Sequence, residues 1–362
     1  MTWYRTKLTE MLKISYPVIQ AGMAGGVTSP ELVAAVSNSG GLGTLGAGYL
    51  SPVAMRQAIR DIRKLTDRPF AVNLMVPQPC EYDFSAKQQM KEYLRKFEKV
   101  VKAPTISSSV DPSFSFDDQV NVVLEEKVPI FSFTFGIPDS SVIEEMHSNQ
   151  TIVIGTATTV KEAIELEKSG VDAVVAQGCE AGGHRGTFQS SSDFPYIGLI
   201  ALVPQMVDHI NIPVIASGGI MDGRGILASL SLGAAGVQMG SAFLTTLESN
   251  AHEQHKKALI ESNDESTVIT AAFSGRPARG IKNTFIREME HYPGSIPPYP
   301  VQNEITKNMR KYAAIQGNPE YMSLWGGQAS SLSRLESAED LMKKTIEQVD
   351  QLIGKFSDRG GL

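Results

Sequence analysis

The chain has 362 residues with 42% hydrophobic and 20% charged content, ordinary for a globular protein of one large α/β domain or two smaller ones. Its net charge of −6 argues against a general nucleic-acid binder, which needs a basic face. The two cysteines, Cys80 and Cys179, lie far apart, which argues against a disulfide scaffold and for a reducing cytoplasm; no run of about 18 apolar residues predicts a membrane helix, and the opening MTWYRTKLTEMLKISYP is not a secretory signal.

Short, uniformly apolar runs recur along the chain, each followed by Gly, Ser or Thr and then a helical pattern. They are VIQAG (18–22), LGTLG (42–46), AVNLM (71–75), IFSFTFG (130–136), TIVIGTA (151–157), DAVVAQG (172–178), PVIASGG (213–219) and GVQMGSAF (236–243). Between them lie amphipathic segments such as SPELVAAVSNSG, SPVAMRQAIRDIRKL, TVKEAIELEKSG and GRGILASLSLG. Several open on a capping Ser, Thr or Asp and close on glycine, as helices do. Strands that are apolar throughout, rather than alternating, belong to parallel sheets covered on both faces. Eight of them with intervening helices predict an α/β protein of the (β/α)8 TIM-barrel type. An open doubly wound sheet is the competitor, and no early G-x-G-x-x-G supports it.

Two regions break the rhythm. Residues 78–128 hold the charged, helix-like stretch AKQQMKEYLRKFEKVVKAP and read as an elaborated connection. Residues 251–330, rich in Pro, Gly and aromatics, are too long for a simple loop and predict a small, mostly helical cap over the barrel mouth. The clusters SSSVDPSFSFDD (107–118) and QSSSDFP (189–195) read as loops, and SAEDLMKKTIEQVDQLIGKF as an amphipathic closing helix. The expected organisation is a barrel over 1–250, a cap shaping the substrate pocket over 251–330, and a C-terminal helix in 331–362 that packs back on the barrel.

In such barrels ligands sit at the C-terminal strand ends. Here those ends carry small or amide side chains. Ser217-Gly218-Gly219 and Gln238-Met239-Gly240-Ser241 end the seventh and eighth runs, where barrels commonly bind phosphate on backbone N–H groups. The following helix, opening at Asp222-Gly223-Arg224, would add its dipole; alternatively the glycines only turn the chain. Asn73 and Gln177 offer the paired donors and acceptors that a flat heteroaromatic ring such as a flavin needs, or else satisfy backbone groups. Gly22, Met23 and Ala24 form a run of small residues with one thioether, either a wall for such a ring or plain core filler.

The loop QGCEAGGHRGTF (177–188) sets His184 directly behind Gly182 and Gly183. The glycines would let a flat cofactor lie against the backbone, with His184 standing over its face. An ordinary imidazole, with a pKa of about 6.5, suits proton abstraction or hydrogen bonding to an anion. Arg185 would bind an anion or face solvent. His147, His209, His252, His255 and His291 read as surface or structural residues. His252 and His255 lack a third ligand, so no metal site is expected.

With these residues in view, the chain resembles the nitronate monooxygenases, long called 2-nitropropane dioxygenases. The resemblance runs through PVIQAGMAGGVTSPELVAAVSNSGGLGTLGAG, AVNLMVP, FTFGIP, AQGCEAGGHRGTF, PVIASGGI, GVQMGSAFLTT, YPVQNEITK and WGGQ. It implies an FMN-binding barrel, with FMN contacts at Asn73, Gln177, Gly182, Gly219 and Gln238 to Ser241. It implies His184 as the catalytic residue, and Tyr299, Lys307 and Gln328 in the substrate pocket. The implied reaction is oxidation of alkyl nitronates, such as propionate 3-nitronate, by O2 to a carbonyl compound and nitrite, with detoxification as the role. A homodimer stays open. One departure is Thr134, where some members carry a histidine, and this puts a second histidine contact in question.

Related FMN-dependent enoyl-ACP reductases and NADH:quinone reductases share the AGGH loop. The alternative expectation is therefore an NAD(P)H-dependent reductase of enoyl thioesters or quinones. A non-redox aldolase or isomerase would want a Schiff-base lysine or paired carboxylates, which the strand ends do not supply.

Overall fold

The computed structural model describes residues 2–104, 114–189 and 195–359. Eight parallel strands form the central sheet: β1 (Val18–Gln20), β2 (Gly43–Gly46), β3 (Phe70–Met75), β4 (Ile130–Thr134), β5 (Ile152–Ala157), β6 (Ala173–Gln177), β8 (Val214–Ser217) and β9 (Gly236–Met239). Three further strands, β7 (Gly183–His184), β10 (Thr267–Thr270) and β11 (Ala278–Ile281), lie outside it. The central order is β1-β9-β8-β6-β5-β4-β3-β2, and a parallel bridge between Ile19 and Leu42 joins the two ends. Gln20 N donates to Leu42 O and Leu42 N to Val18 O, both at 2.9 Å. This is a TIM barrel with helices between its strands.

All eight apolar runs became barrel strands because both strand faces are covered. One face packs inside the barrel, where Ile19, Leu42, Ala71, Ile130, Ile154 and Ile215 cluster with Leu8 and Leu12 of the helix Lys7–Leu12. The other face meets the surrounding helices through residues such as Val18, Val72, Phe131, Phe133 and Val174. Local chemistry starts those helices where the sequence predicts. Ser29, Ser51 and Thr159 accept from Leu32 N, Ala54 N and Glu162 N, and Pro30 and Pro52 hold the first turns of their helices.

The connection from β3 to β4 holds helices Phe84–Val100 and Phe116–Glu125. The second corrects the expected loop at 107–118. Ser115 and Asp118 form a reciprocal capping box, so residues from Phe116 onward are helical. Residues 107–113 of that loop, and 190–194 of the loop at 189–195, lie outside the described residues.

Beyond β9 follow helices Glu253–Ile260, Thr284–Met289 and Val301–Ile315, in the segment expected as a cap. Phe273, Phe285, Met309 and Leu324 form a second apolar core there, joined by Met90, Leu94 and Phe97 of helix Phe84–Val100. The elaborated connection and the cap are therefore packed together. The segment is not only helical: β10 and β11 form a hairpin, and β11 pairs antiparallel with β7, setting Ala278 opposite His184 and Arg279 opposite Gly183. The closing helix, Ala338–Arg359, packs on helices Gly223–Ser231 and Pro30–Asn38.

Candidate active site

The loop after β6 is folded back on its own strand. Gln177 Nε2 donates to His184 O at 3.0 Å, and Gln177 Oε1 accepts from Gly186 N at 2.8 Å. The Gln177 amide is thus largely spent on the loop. Gly183 has φ +75, in the left-handed region that favours glycine. At Gly182 a Cβ would stand 2.5 Å from Gly327 N and 2.6 Å from Gly326 C, so the loop lies flush against the cap backbone. The glycine pair therefore answers to backbone conformation at one position and to a backbone contact at the other.

Arg185 neither faces solvent nor opens onto an anion site, contrary to both expectations. It is buried, and Nη1 donates to Gln177 O at 3.0 Å and Gly178 O at 2.6 Å. Arg279 Nε donates to Cys179 O at 2.9 Å. Carbonyls of a buried loop need donors, and two guanidiniums supply them.

Beneath the loop, fully buried Glu162 accepts from Thr158 N (2.6 Å), Thr158 Oγ1 (2.7 Å), Thr187 Oγ1 (2.5 Å), Phe188 N (2.8 Å) and Gln189 N (3.1 Å). Burial alone would raise its carboxyl, but the bonds from Thr187 and Thr158 outweigh that and hold it below its ordinary value. Glu162→Gln is expected to cost about 2 kcal/mol in urea unfolding near neutral pH. Because the folded value is depressed, the stabilisation is complete above the range where an unfolded glutamate titrates. It fades as pH falls through the folded value. The gap between wild type and variant should therefore close in acid.

His184 Nε2 lies 2.8 Å from the buried Ser274 Oγ. The ring meets Phe135 edge-on (centroids 5.9 Å), Tyr299 (6.1 Å) and Trp325 (5.3 Å). Burial first, then the charges of Arg276 and Arg310, push its pKa down to about 3. The ordinary value expected from sequence is corrected: the imidazole is neutral throughout the physiological range. The ring is half-buried, and its exposed part lines the cavity.

That cavity measures about 490 Å³, within the usual range for small-molecule sites. Gly22, Met23, Ala24 and Asn73 line it from the first and third barrel strands, and Gln177, Gly182, Gly183 and His184 from the β6 loop. Ser217, Gly218, Gly219, Gln238, Gly240 and Ser241 line it from β8 and β9. Met23 also packs partly on the core. Thr134, the departure, faces the same space.

Three expected residues stand elsewhere. Met239 is buried among the barrel helices, because side chains alternate along a strand and its neighbour Gln238 takes the cavity side. Lys307 is 70% exposed and sits 3.8 Å from Glu304, its ammonium in water. Asn303 and Arg310 of the same helix face the cavity instead. Gln328 lines a neighbouring cleft with Glu180, behind Gly218 and Gly219. Tyr299, a fourth expected residue, does not line the cavity itself but backs it, its hydroxyl 3.5 Å from that of Tyr49, which does.

The residues at the strand ends fit a flavin phosphate. Gly218 and Gly219 have φ +134 and +67, and among the described residues their N–H groups and that of Gly240 have no protein acceptor. The helix Gly223–Ser231 does not add a free terminus: Gly223 N is taken by Gln348 Oε1 (2.8 Å) and Arg224 N by Asp222 Oδ1 (2.9 Å). Asn73 spends Nδ2 on Ser132 Oγ (2.8 Å), and its Oδ1 has no protein donor among the described residues.

Ser274, Arg276, Arg310, Tyr49 and Trp325 were not picked out from sequence. Two stretches carried a signal: SGRPARG, whose arginines enclose a proline and an alanine, and WGGQ, which opens on Trp325. His255 is structural as read, its Nε2 2.8 Å from Trp325 O, yet it and His252 border the cavity. Among the described residues no cluster of three metal-ligating side chains occurs.

The fold and cavity define a (β/α)8 barrel with a small-molecule site at the C-terminal ends of its strands. The nitronate monooxygenase family model matches residues 5–348. The chain is 47% identical over 353 residues to a probable nitronate monooxygenase of Staphylococcus haemolyticus, covering 97% of this chain and 99% of the relative. A probable nitronate monooxygenase of Staphylococcus aureus is 48% identical over 352 residues, with the same coverage. A nitroalkane oxidase structure from Streptomyces ansochromogenes aligns with TM-score 0.88 and 39% identity, covering 96% of this chain and 99% of that one. FabK from Thermotoga maritima aligns with TM-score 0.78 and 33% identity, covering 99% of each chain. The chain belongs to the nitronate monooxygenase family.

Proposed function

We propose that this chain uses FMN to oxidise alkyl nitronates with O2, giving a carbonyl compound and nitrite. A neutral imidazole and a guanidinium without a carboxylate partner among the described residues, both facing one glycine-floored cavity, support this reading above all. In our reading FMN rests its phosphate on Gly218, Gly219, Gly240 and Ser241, and its ring against Gly22, Met23, Ala24 and Asn73. Bound FMN supplies the electron acceptor and the chemistry with oxygen.

His184 then works as a hydrogen-bond donor rather than a base. The Ser274 hydroxyl has one proton to give, to Nε2 at 2.8 Å or to Arg276 O at 3.1 Å; in our reading it goes to Nε2, which leaves the ring proton on Nδ1 to bond an anionic oxygen. A group whose pKa is about 3 removes carbon-bound protons poorly, so a preformed nitronate suits the site better than a neutral nitroalkane. Buried surroundings strengthen that bond by excluding competing water.

Arg310 supports a substrate with a second anionic group, such as propionate 3-nitronate, and with it a detoxifying role. Its Nε and Nη2 bond Thr306 Oγ1 (3.2 Å), Asn303 O (2.7 Å) and Asn303 Oδ1 (2.8 Å). Nη1 has no acceptor, and no carboxylate pairs with the guanidinium, among the described residues. In Arg310→Met, the kcat/KM ratio for propionate 3-nitronate over propyl-1-nitronate should fall about 30-fold. Equal loss on both substrates would remove the charge-recognition role.

We take the setting to be the cytoplasm, which suits two free cysteines; no helix among the described residues is long and apolar enough to cross a membrane. The deciding experiment is oxygen uptake by FMN-loaded protein given an alkyl nitronate without NADH, with nitrite assayed at the end. Uptake with matching nitrite is expected. No uptake, together with anaerobic bleaching of the flavin by NADH, would replace this reading with an NAD(P)H-dependent reductase.

A further inference from the structure

Phe135 is an aromatic residue that the barrel holds in the left-handed region, at φ +77, immediately after β4. An aromatic side chain adopts that backbone only where its surroundings enforce it, and such positions gather at functional sites. Its ring is buried, lines the cavity, and meets the His184 ring edge-on at 5.9 Å. On its other side the Arg276 guanidinium carbon lies 4.0 Å from the ring centroid. Cation stacking of this kind favours arginine, whose planar group covers the ring face.

The same guanidinium bonds the backbone on the far side of His184. Arg276 Nε donates to Arg185 O at 3.0 Å, and Nη2 donates to Thr187 O. Two residues earlier, Ser274 holds His184 Nε2, and one residue later Pro277 O accepts from Arg185 N at 2.8 Å. One turn of the cap thus grips the histidine by its ring, its following backbone and its aromatic neighbour. Among the described residues no carboxylate forms an ion pair with Arg276. Its charge is not spent on a partner.

We propose that Arg276 is a positioning residue that acts through Phe135 and the carbonyls of Arg185 and Thr187 to fix the His184 ring at the cavity wall. This rests on the reading of His184 as the residue that meets the substrate. A second effect follows from the uncancelled charge. The groups around the ring are Arg276 from the cap turn, Arg310 from helix Val301–Ile315, and Tyr299, which precedes that helix; Glu162 is set below the loop behind Thr187. Of these, Arg276 and Arg310 disfavour the imidazolium, adding to burial. Arg276 would then hold the ring both in place and uncharged.

The test compares FMN-loaded Arg276→Met, Arg276→Lys and Phe135→Leu with wild type, reading bound FMN, steady-state kinetics and the His184 titration by imidazole NMR. In Arg276→Met, kcat should fall about tenfold or more while KM changes less. The titration midpoint should rise by about one pH unit, because a neighbouring cation has gone. Arg276→Lys should restore the midpoint but not kcat, since lysine keeps the charge and lacks the fork that spans two carbonyls. Phe135→Leu should lower kcat and leave the midpoint where it is. A midpoint unchanged in Arg276→Met, or a wild-type kcat in that variant, overturns the proposal. If no nitronate is oxidised by any of the proteins, the titration still decides the tie between Arg276 and His184, and only the functional reading falls.

Discussion

His184→Asn is expected to lower nitronate-dependent oxygen uptake about a hundred- to ten-thousand-fold, with FMN still bound. Asparagine's amide reaches the position of Nδ1 but not of Nε2, so the 2.8 Å contact to Ser274 is lost, while the bonds of Gln177 with His184 O and Gly186 N keep the loop in place. It also lacks the flat ring seated against Phe135, Tyr299 and Trp325, which in our reading holds the Nδ1 donor against the substrate. The neutral state of the native ring sharpens the expectation. Over pH 6 to 9 wild-type activity should show no ionisation from this group, whose pKa is pushed down to about 3. Turnover equal to wild type, from a variant that still carries FMN, would take His184 out of the reaction.

Gly182→Val should destabilise the protein by about 3 kcal/mol, while Gly183→Ala, its neighbour, should cost only about 1 kcal/mol. The reasons differ. A Cβ at Gly182 would lie 2.5 Å from Gly327 N, a backbone atom that cannot rotate away. At Gly183 a Cβ meets nothing within 4 Å, and the cost is the left-handed conformation alone. From sequence, a side chain at 182 is expected to intrude on the cofactor. The structure directs it into the cap first, so weaker FMN retention should accompany lower stability rather than replace it. Denaturant unfolding of both variants, with bound FMN counted, checks the order. A more stable Gly182→Val than Gly183→Ala would contradict the close contact.

The barrel was legible because its strands, covered on both faces, leave uninterrupted apolar runs such as AVNLM and DAVVAQG, while Ser and Pro at the helix starts mark where each run ends. The cap was less so. β7 has two residues and β11 reads ARGI, too short and too mixed to carry a period. The floor of the site could be read because few demands besides a bound ligand gather glycines and amides at so many strand ends. Its walls could not. Ser274 stands 90 positions from His184 in sequence, and no local pattern reports that contact. Charge misled twice. Arg185 beside a histidine suggests a ligand, yet buried carbonyls claim it. Lys307 and Arg310 lie within one helical turn, and only packing decides which of the two faces inward.

The pairing of His184 with Ala278 makes the histidine's own segment a strand shared by barrel and cap. A hinged lid would have to break that ladder, and would carry the imidazole away as it swung. Traffic to the site should therefore pass beside the cap, near Tyr49 and Tyr299, rather than beneath it. The same joint binds the two parts in heredity. A cap grafted from a relative would bring a foreign edge to the strand that carries His184, so new specificities in this lineage should arise by changing residues on helix Val301–Ile315, not by exchanging the module.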